Sequence, residues 1–398
     1  QVDHSRSRRG GSTDRRMAGY SSAMISVPFR LSFSYWTYFF YGGLSMPWWP
    51  VWLSSRGLSE VQIGDLLAFE RLFIVAASLA VAHFSDRTGH RRLILILFAI
   101  GMTSGYALFG LATMYWHFFL VAAVTAVCRS PLIPLSDSIT MTHVRRGEAD
   151  YGKVRLWGTI SFIIGSSLGG VILEGRAEDL ILWAIVGSCA FAVIGFYMLP
   201  DTRSEGVAPK LTDGLRLATR PIFMLFVLTV ALSMTSHSAV YAFGSLYWRG
   251  IGISDSAISF LWAFGAASEI IVFWKGAALL KRFGPPLLIF AGAVAAVLRW
   301  YLTGTSTEIW VLTLAQALHA FTFGAAHLGG MTFISRIAPT ELLATAQTLY
   351  SALAMGAAMA LMMPITGRLY GAFGPEKTFF AMIALAAASS VLALGLQW

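Results

Sequence analysis

Apolar residues gather into long blocks along this chain, and short polar segments separate them. A block of about 20 apolar residues is long enough to cross a hydrocarbon core as a helix. Twelve such helices are predicted, at 29–53, 61–83, 93–113, 117–141, 156–174, 180–199, 222–246, 257–280, 287–304, 309–334, 349–370 and 378–397. The connections are short except for Pro200–Pro221, which is polar and proline-flanked. The expected fold class is therefore an all-α membrane protein, with twelve transmembrane helices in two pseudo-symmetric six-helix bundles. The expected division is a disordered basic cytoplasmic tail at 1–28, a first bundle at 29–199, a cytoplasmic linker at 200–221 and a second bundle at 222–398.

Composition sharpens this picture. Of 398 residues 56% are hydrophobic and only 12% charged, where a soluble domain carries about 25% charged residues. Cys128 and Cys189 both fall inside apolar blocks and read as small buried hydrophobes, which excludes a disulfide framework. The first 28 residues are Arg-rich, with no apolar run before Phe29, so no cleavable signal peptide is expected. With the N-terminus placed inside, nineteen basic residues fall on the cytoplasmic side and five on the outer side. That bias fixes the orientation and accounts for the net charge of +9 without nucleic acid as a partner. The expectation is a multi-pass protein of the cell (inner) membrane with both termini cytoplasmic.

Ionisable groups inside such helices are costly and mark function by default. With about 1.5 Å of rise per residue, Glu269, Arg299 and His319 each fall near the middle of their predicted helices 8, 9 and 10. An acid, a permanent cation and an imidazole at one depth can exchange partners when a proton arrives. An internal repeat supports two halves: Gly57–Phe69 lines up with Gly252–Phe264, and Asp86–Gly89 lines up with Lys281–Gly284 at the same offset.

The run Asp86-Arg87-Thr88-Gly89-His90-Arg91-Arg92 after helix 2 resembles the major facilitator signature D-R-x-G-R-R, with His90 in place of one Arg. Gly89 suits the tight turn, Asp86 a helix end, and Arg87 the inner face. A narrower resemblance is carried by Pro131–Asp137, by Asp150-Tyr-Gly-Lys-Val-Arg-Leu-Trp-Gly158, by the aromatic run Tyr35–Phe40, by Leu261-Trp262 with Glu269, by Arg299-Trp300 and by His319 through His327. These are similar to the phenylpropionate permease group, which is related to lactose and nucleoside proton symporters. Lactose permeases also place an acid on helix 8, an Arg on helix 9 and a His on helix 10. They carry a further acid on helix 10, and none stands between Ile309 and Ile334 here. The resemblance implies two parallel six-helix repeats with a solute site between them near mid-membrane.

The residue roles then follow as expectations. Glu269, His319 and Arg299 are candidates for proton coupling, the bland reading being a static ion pair between helices. Arg129 or Arg299 would hold an anionic solute; alternatively Arg129 neutralises Glu70. Glu70 and Arg71 are adjacent and point about 100° apart on a helix, so one of them is expected to face a neighbouring helix. Trp262, Tyr38 and Tyr35 are candidates to stack on an aromatic solute, with His327 a further contact. Asp137, Lys153 and Arg155 at the inner ends of helices 4 and 5, together with Asp86, Arg87 and Gly89, are the gating candidates; helix-end charge complementarity is the alternative. Gly165 and Gly169 have the spacing of close helix packing. No cofactor, metal site or enzymatic activity is expected: there is no nucleotide-binding loop, no Cys/His spacing and no hydrolytic triad. The expected function is a monomeric proton-coupled symporter in the lipid bilayer, importing a small organic acid such as an aromatic monocarboxylate by alternating access. A sugar or nucleoside proton symporter and a transporter-like solute sensor are the other readings.

Overall fold

The computed structural model describes residues 26–201, 217–339 and 342–397, with the backbone alone at 79, 82–88 and 344. The predicted tail through residue 25 and most of the predicted linker lie outside the described residues. Among the described residues, everything regular is helical. The first half comprises α1 (Val27–Ser55), α2 (Glu60–Thr88), α3 (Arg91–Phe109), α4 (Tyr115–Arg129), α5 (Leu132–Arg145), α6 (Tyr151–Leu173) and α7 (Asp179–Met198). The second comprises α8 (Pro221–Thr235), α9 (Ser238–Gly250), α10 (Asp255–Trp274), α11 (Gly276–Thr305), α12 (Ile309–Ala317), α13 (Ala326–Ile337), α14 (Leu343–Tyr350) and α15 (Ala358–Leu394).

Among the described residues, nine stretches are long and apolar enough to cross a membrane. The longest, Thr345–Gln397, is two helices joined at Gly374, whose φ is 80°. Both α1 and α2 also run to 29 residues, and α2 carries the charged pair Glu70 and Arg71 in its middle. This arrangement is consistent with the twelve predicted passes. Several of those passes are bent rather than straight. Pro131 separates α4 from α5, since it offers no N–H and crowds the preceding turn. Two π-helical turns interrupt the later passes, at Ala320–Ala325 between α12 and α13 and at Ser351–Ala357 between α14 and α15. The outer surface is a belt of exposed large apolar side chains, among them Leu111, Trp183, Ile271, Leu361 and Val391, as a bilayer-facing surface requires.

The sequence repeat has a backbone counterpart. Gly57 and Gly252 have φ of 83° and 86°, and Gly89 and Gly284 have φ of 70° and 72°. Matched left-handed turns at matched positions bend the chain the same way in each half. The halves then grip each other at two equivalent places. A Cβ added at Gly170 of α6 would lie 2.1 Å from the carbonyl oxygen of Asp255 on α10. One added at Gly367 of α15 would lie 2.6 Å from that of Glu60 on α2. Glu60 and Asp255 are partners in the repeat, as are Gly64 and Ser259. At the first place the Gly170 amide donates to Ser259 Oγ at 2.7 Å; at the second, Gly64 and Gly367 meet backbone to backbone.

Charges reinforce the same end. Arg249 binds both oxygens of Asp255 at 2.6 Å and reaches Glu178 of the other half at 3.4 Å. Arg368 pairs with Asp65 across the halves at 2.7 Å, and Ser256 donates to Glu174. These hydrogen bonds and ion pairs joining the halves all lie at the end that carries Gly57 and Gly252. Within the first half, Gly43 and Gly165 bring α1 and α6 into backbone contact: an added Cβ at Gly165 would sit 2.6 Å from the Phe40 carbonyl oxygen.

Candidate functional site

Between the halves, beneath that seam, lie two adjoining cavities of about 350 and 270 Å³. Phe39, Met46, Phe162 and Tyr241 line both and form a largely apolar corridor from one to the other.

The smaller cavity belongs mainly to the second half. Trp262, Glu269, Arg299 and His319 line it, with Arg155 and Gln316. The His319 Nε2 stands 3.0 Å from Glu269 Oε1. On its far side, Arg299 Nη1 donates to His319 Nδ1 at 2.7 Å. A guanidinium can only donate, so Nδ1 must accept, and the ring proton must sit on Nε2, pointing at the Glu269 carboxylate. Arg299 also donates to Thr322 Oγ1 at 3.0 Å and to Gln316 Oε1 at 2.7 Å. Thr322 in turn donates to His237 Nε2 at 3.1 Å, and His237 Nδ1 donates to the Ser233 carbonyl at 3.0 Å. The two imidazoles thus carry opposite tautomers, one on each side of Arg299.

Local structure explains why these groups meet. At Ser236-His237 the helical pass breaks between α8 and α9; the His237 amide bonds to Met234, and its ring takes the Ser233 carbonyl instead. Ser236 Oγ accepts from Trp300 Nε1 at 2.9 Å, which fixes the neighbouring Arg299 backbone. The π turn that begins at Ala320 widens the helix just after His319, and π turns recur at functional sites. Residues 316, 319 and 322, three apart, then all face Arg299, which is only 2% exposed. Its guanidinium also lies 4.7 Å from the Trp300 ring centroid.

The larger cavity belongs mainly to the first half, with Tyr38, Tyr41, Trp49, Glu70, Arg71 and Arg129 on its walls. Arg129 donates to the Tyr41 and Tyr106 hydroxyls at 3.0 and 3.2 Å, and its Nη2 lies 3.7 Å from Glu70 Oε2. Glu70 and Arg71 both line this cavity, contrary to the expectation that one would face a neighbouring helix. Glu70 is buried beside Arg129, and the Arg71 side chain is long enough to reach the same cavity from the adjacent position.

The remaining candidates lie elsewhere. Tyr35 is 1% exposed, and its hydroxyl donates to Asp137, which also accepts from Tyr151 at 3.2 Å. His327 stacks on Phe323 with ring centroids 5.6 Å apart. Arg155 lies 4.0 Å over the Phe39 ring, on the cavity side. The Lys153 amide is capped by Asp150 at 3.1 Å, and its side chain lines a separate groove with Phe33, Trp36 and Trp157. The side chains of Asp86 and Arg87 lie outside the described residues; Gly89 makes the expected left-handed turn. Gln316 and Thr322 were not singled out in the sequence. Their three-residue spacing from His319 is the signal that points to them. Among the described residues, no group of three His, Cys, Asp or Glu side chains converges as a metal site would need.

Comparison with known proteins gives the same picture. The family model described as MFS_1 like family matches residues 29–381. The chain is 32% identical over 360 residues to the probable 3-phenylpropionic acid transporter of Escherichia coli (strain K12), covering 89% of this chain and 94% of that one. It is 24% identical over 343 residues to the putative nucleoside transporter YegT of the same organism, covering 80% and 78%. The crystal structure of the nucleoside transporter NupG superposes with a TM-score of 0.80 at 17% identity, covering 94% of this chain and 98% of that one. A family match over most of the chain, on an all-helical fold of many apolar passes with a cavity between its halves, makes this protein a member of the MFS_1 like family of major facilitator transporters.

Proposed function

We propose that the protein is a proton-coupled symporter that imports a small organic acid, an aromatic monocarboxylate such as 3-phenylpropionate, across the cell (inner) membrane. The observation that carries this reading is the Glu269–His319–Arg299 chain on the wall of a cavity shared by both halves. An ionised carboxylate there accepts the His319 N–H as a charge-assisted bond. Protonation of Glu269 removes the charge, weakens that bond and loosens the acid from the second half's network. Arg129 supplies cationic character on the facing wall, and Tyr38, Tyr241 and Trp262 supply aromatic surface for a ring. The seam at the Gly57 and Gly252 end closes the cavity from outside, with both termini cytoplasmic, so this conformation faces inward. The relative named for 3-phenylpropionic acid supports the choice of cargo.

A second reading, a nucleoside or sugar symporter, draws support from the relatives named for nucleosides. Uptake of labelled 3-phenylpropionate into proteoliposomes with an imposed pH gradient separates the two. Accumulation that collapses with the gradient, and that unlabelled nucleoside does not compete, supports the acid symporter. Accumulation that survives collapse of the gradient removes proton coupling, and competition by nucleoside alone favours the second reading.

A further inference from the structure

The cations around the two cavities are not equivalent. Arg299 is buried, with His319, Thr322 and Gln316 as acceptors. Arg129 has Tyr41, Tyr106 and Glu70. Arg155, on the smaller cavity, lies 4.0 Å over the Phe39 ring. Arg71 also lines the larger cavity, yet among the described residues its guanidinium makes no hydrogen bond and no ion pair. Charge tells the same story. Glu269 balances Arg299, and Glu70 balances Arg129. One positive charge in the larger cavity, at Arg71, is left over. Arg71 is only partly buried and opens onto the cavity, and its planar fork fits a carboxylate with two parallel hydrogen bonds.

We propose that Arg71 is the seat of the solute's carboxylate. The apolar body of the solute then extends from Arg71 along the corridor of Phe39, Met46, Phe162 and Tyr241 toward Glu269. The cargo class this geometry fits is a monoanion with its charge at one end and a flat apolar body at the other. A neutral solute leaves Arg71 unpaired, and an inorganic anion leaves the corridor unfilled. This assignment rests on reading the cargo as an organic acid. It places the carboxylate on a residue of α2 rather than on Arg129, which already holds Tyr41, Tyr106 and Glu70, or on Arg299, which already holds His319, Thr322 and Gln316.

The test is equilibrium binding of two probes, 3-phenylpropionate and its neutral amide, to the full chain in nanodiscs. The wild type is expected to bind the acid about 10- to 100-fold more tightly than the amide, the range for one charge-assisted pair. Arg71→Gln is expected to bring the affinity for the acid down to that of the amide, abolishing the preference. An Arg71→Gln protein that keeps the acid preference overturns the assignment. Wild type that binds both probes alike, or neither, removes the organic-acid reading and the subsite with it. A second measurement needs no variant: phenylglyoxal labelling of Arg71 in the wild type, read by peptide mass spectrometry. The acid, and not the amide, is expected to protect Arg71. Equal labelling with and without the acid counts against the assignment.

Discussion

Replacing Gly170 with alanine strikes the seam at its tightest point. The new Cβ would lie 2.1 Å from the Asp255 carbonyl oxygen and 2.3 Å from Ser259 Oγ. Comfortable heavy-atom contact begins at about 3.5 Å, so α6 and α10 must separate by roughly an ångström. The 2.7 Å bond from the Gly170 amide to Ser259 would be lost with that movement. Overpacking costs about 1–3 kcal/mol, and the bond about 0.5–1.5 kcal/mol. Both fall only on the conformation in which this end is closed. At about 1.4 kcal/mol per factor of ten, the closed population should fall by roughly 10- to 1000-fold relative to conformations open at this end. Spin labels at exposed Ser55→Cys and Thr307→Cys, one in each half near this end, report the change by pulsed dipolar spectroscopy, with Cys128 and Cys189 replaced by alanine. The expected result is a new population at longer distance. Gly367→Ala should do the same. Gly187→Ala, with open space around the added carbon, should do nothing. An unchanged distance distribution in Gly170→Ala would show that the seam is too compliant to hold the halves together.

Three further outcomes follow from the site. Glu269→Gln cannot take up a proton but keeps a hydrogen-bonding oxygen; gradient-driven accumulation in proteoliposomes should disappear while solute exchange across the membrane continues. Thr322→Val should lower stability by about 1–3 kcal/mol, because Arg299 loses an acceptor and buried His237 a donor; a thermal-shift assay should show the loss, and Thr322→Ser should restore it. Trp300→Phe leaves buried Ser236 without the indole donor, and its thermal midpoint should fall, with uptake reduced through the displaced Arg299 backbone.

Much of this was legible in the sequence, for a physical reason. Charges inside apolar blocks are rare, so Glu269, Arg299 and His319 stood out, and their shared depth followed from helix rise alone. The glycine pairs at 57 and 252 and at 89 and 284 were visible because a left-handed turn admits few other residues. Gln316 and Thr322 were harder to see. A lone uncharged polar residue in an apolar helix usually bonds to its own backbone, and nothing local says that these two turn to an arginine 17 and 23 residues away. Tyr35 and Tyr38 show the other limit. They lie three apart in one aromatic run, yet Tyr35 bonds to Asp137 while Tyr38 lines the cavity. Helix rotation decides between them, and rotation is set by the neighbours.

Because Arg299 holds Nδ1 and Nε2 faces Glu269, the His319 ring has no vacant site through which a hydrogen ion could pass from one side to the other. The imidazole plugs the second half's polar chain rather than wiring it, and it would conduct only if the guanidinium swung aside.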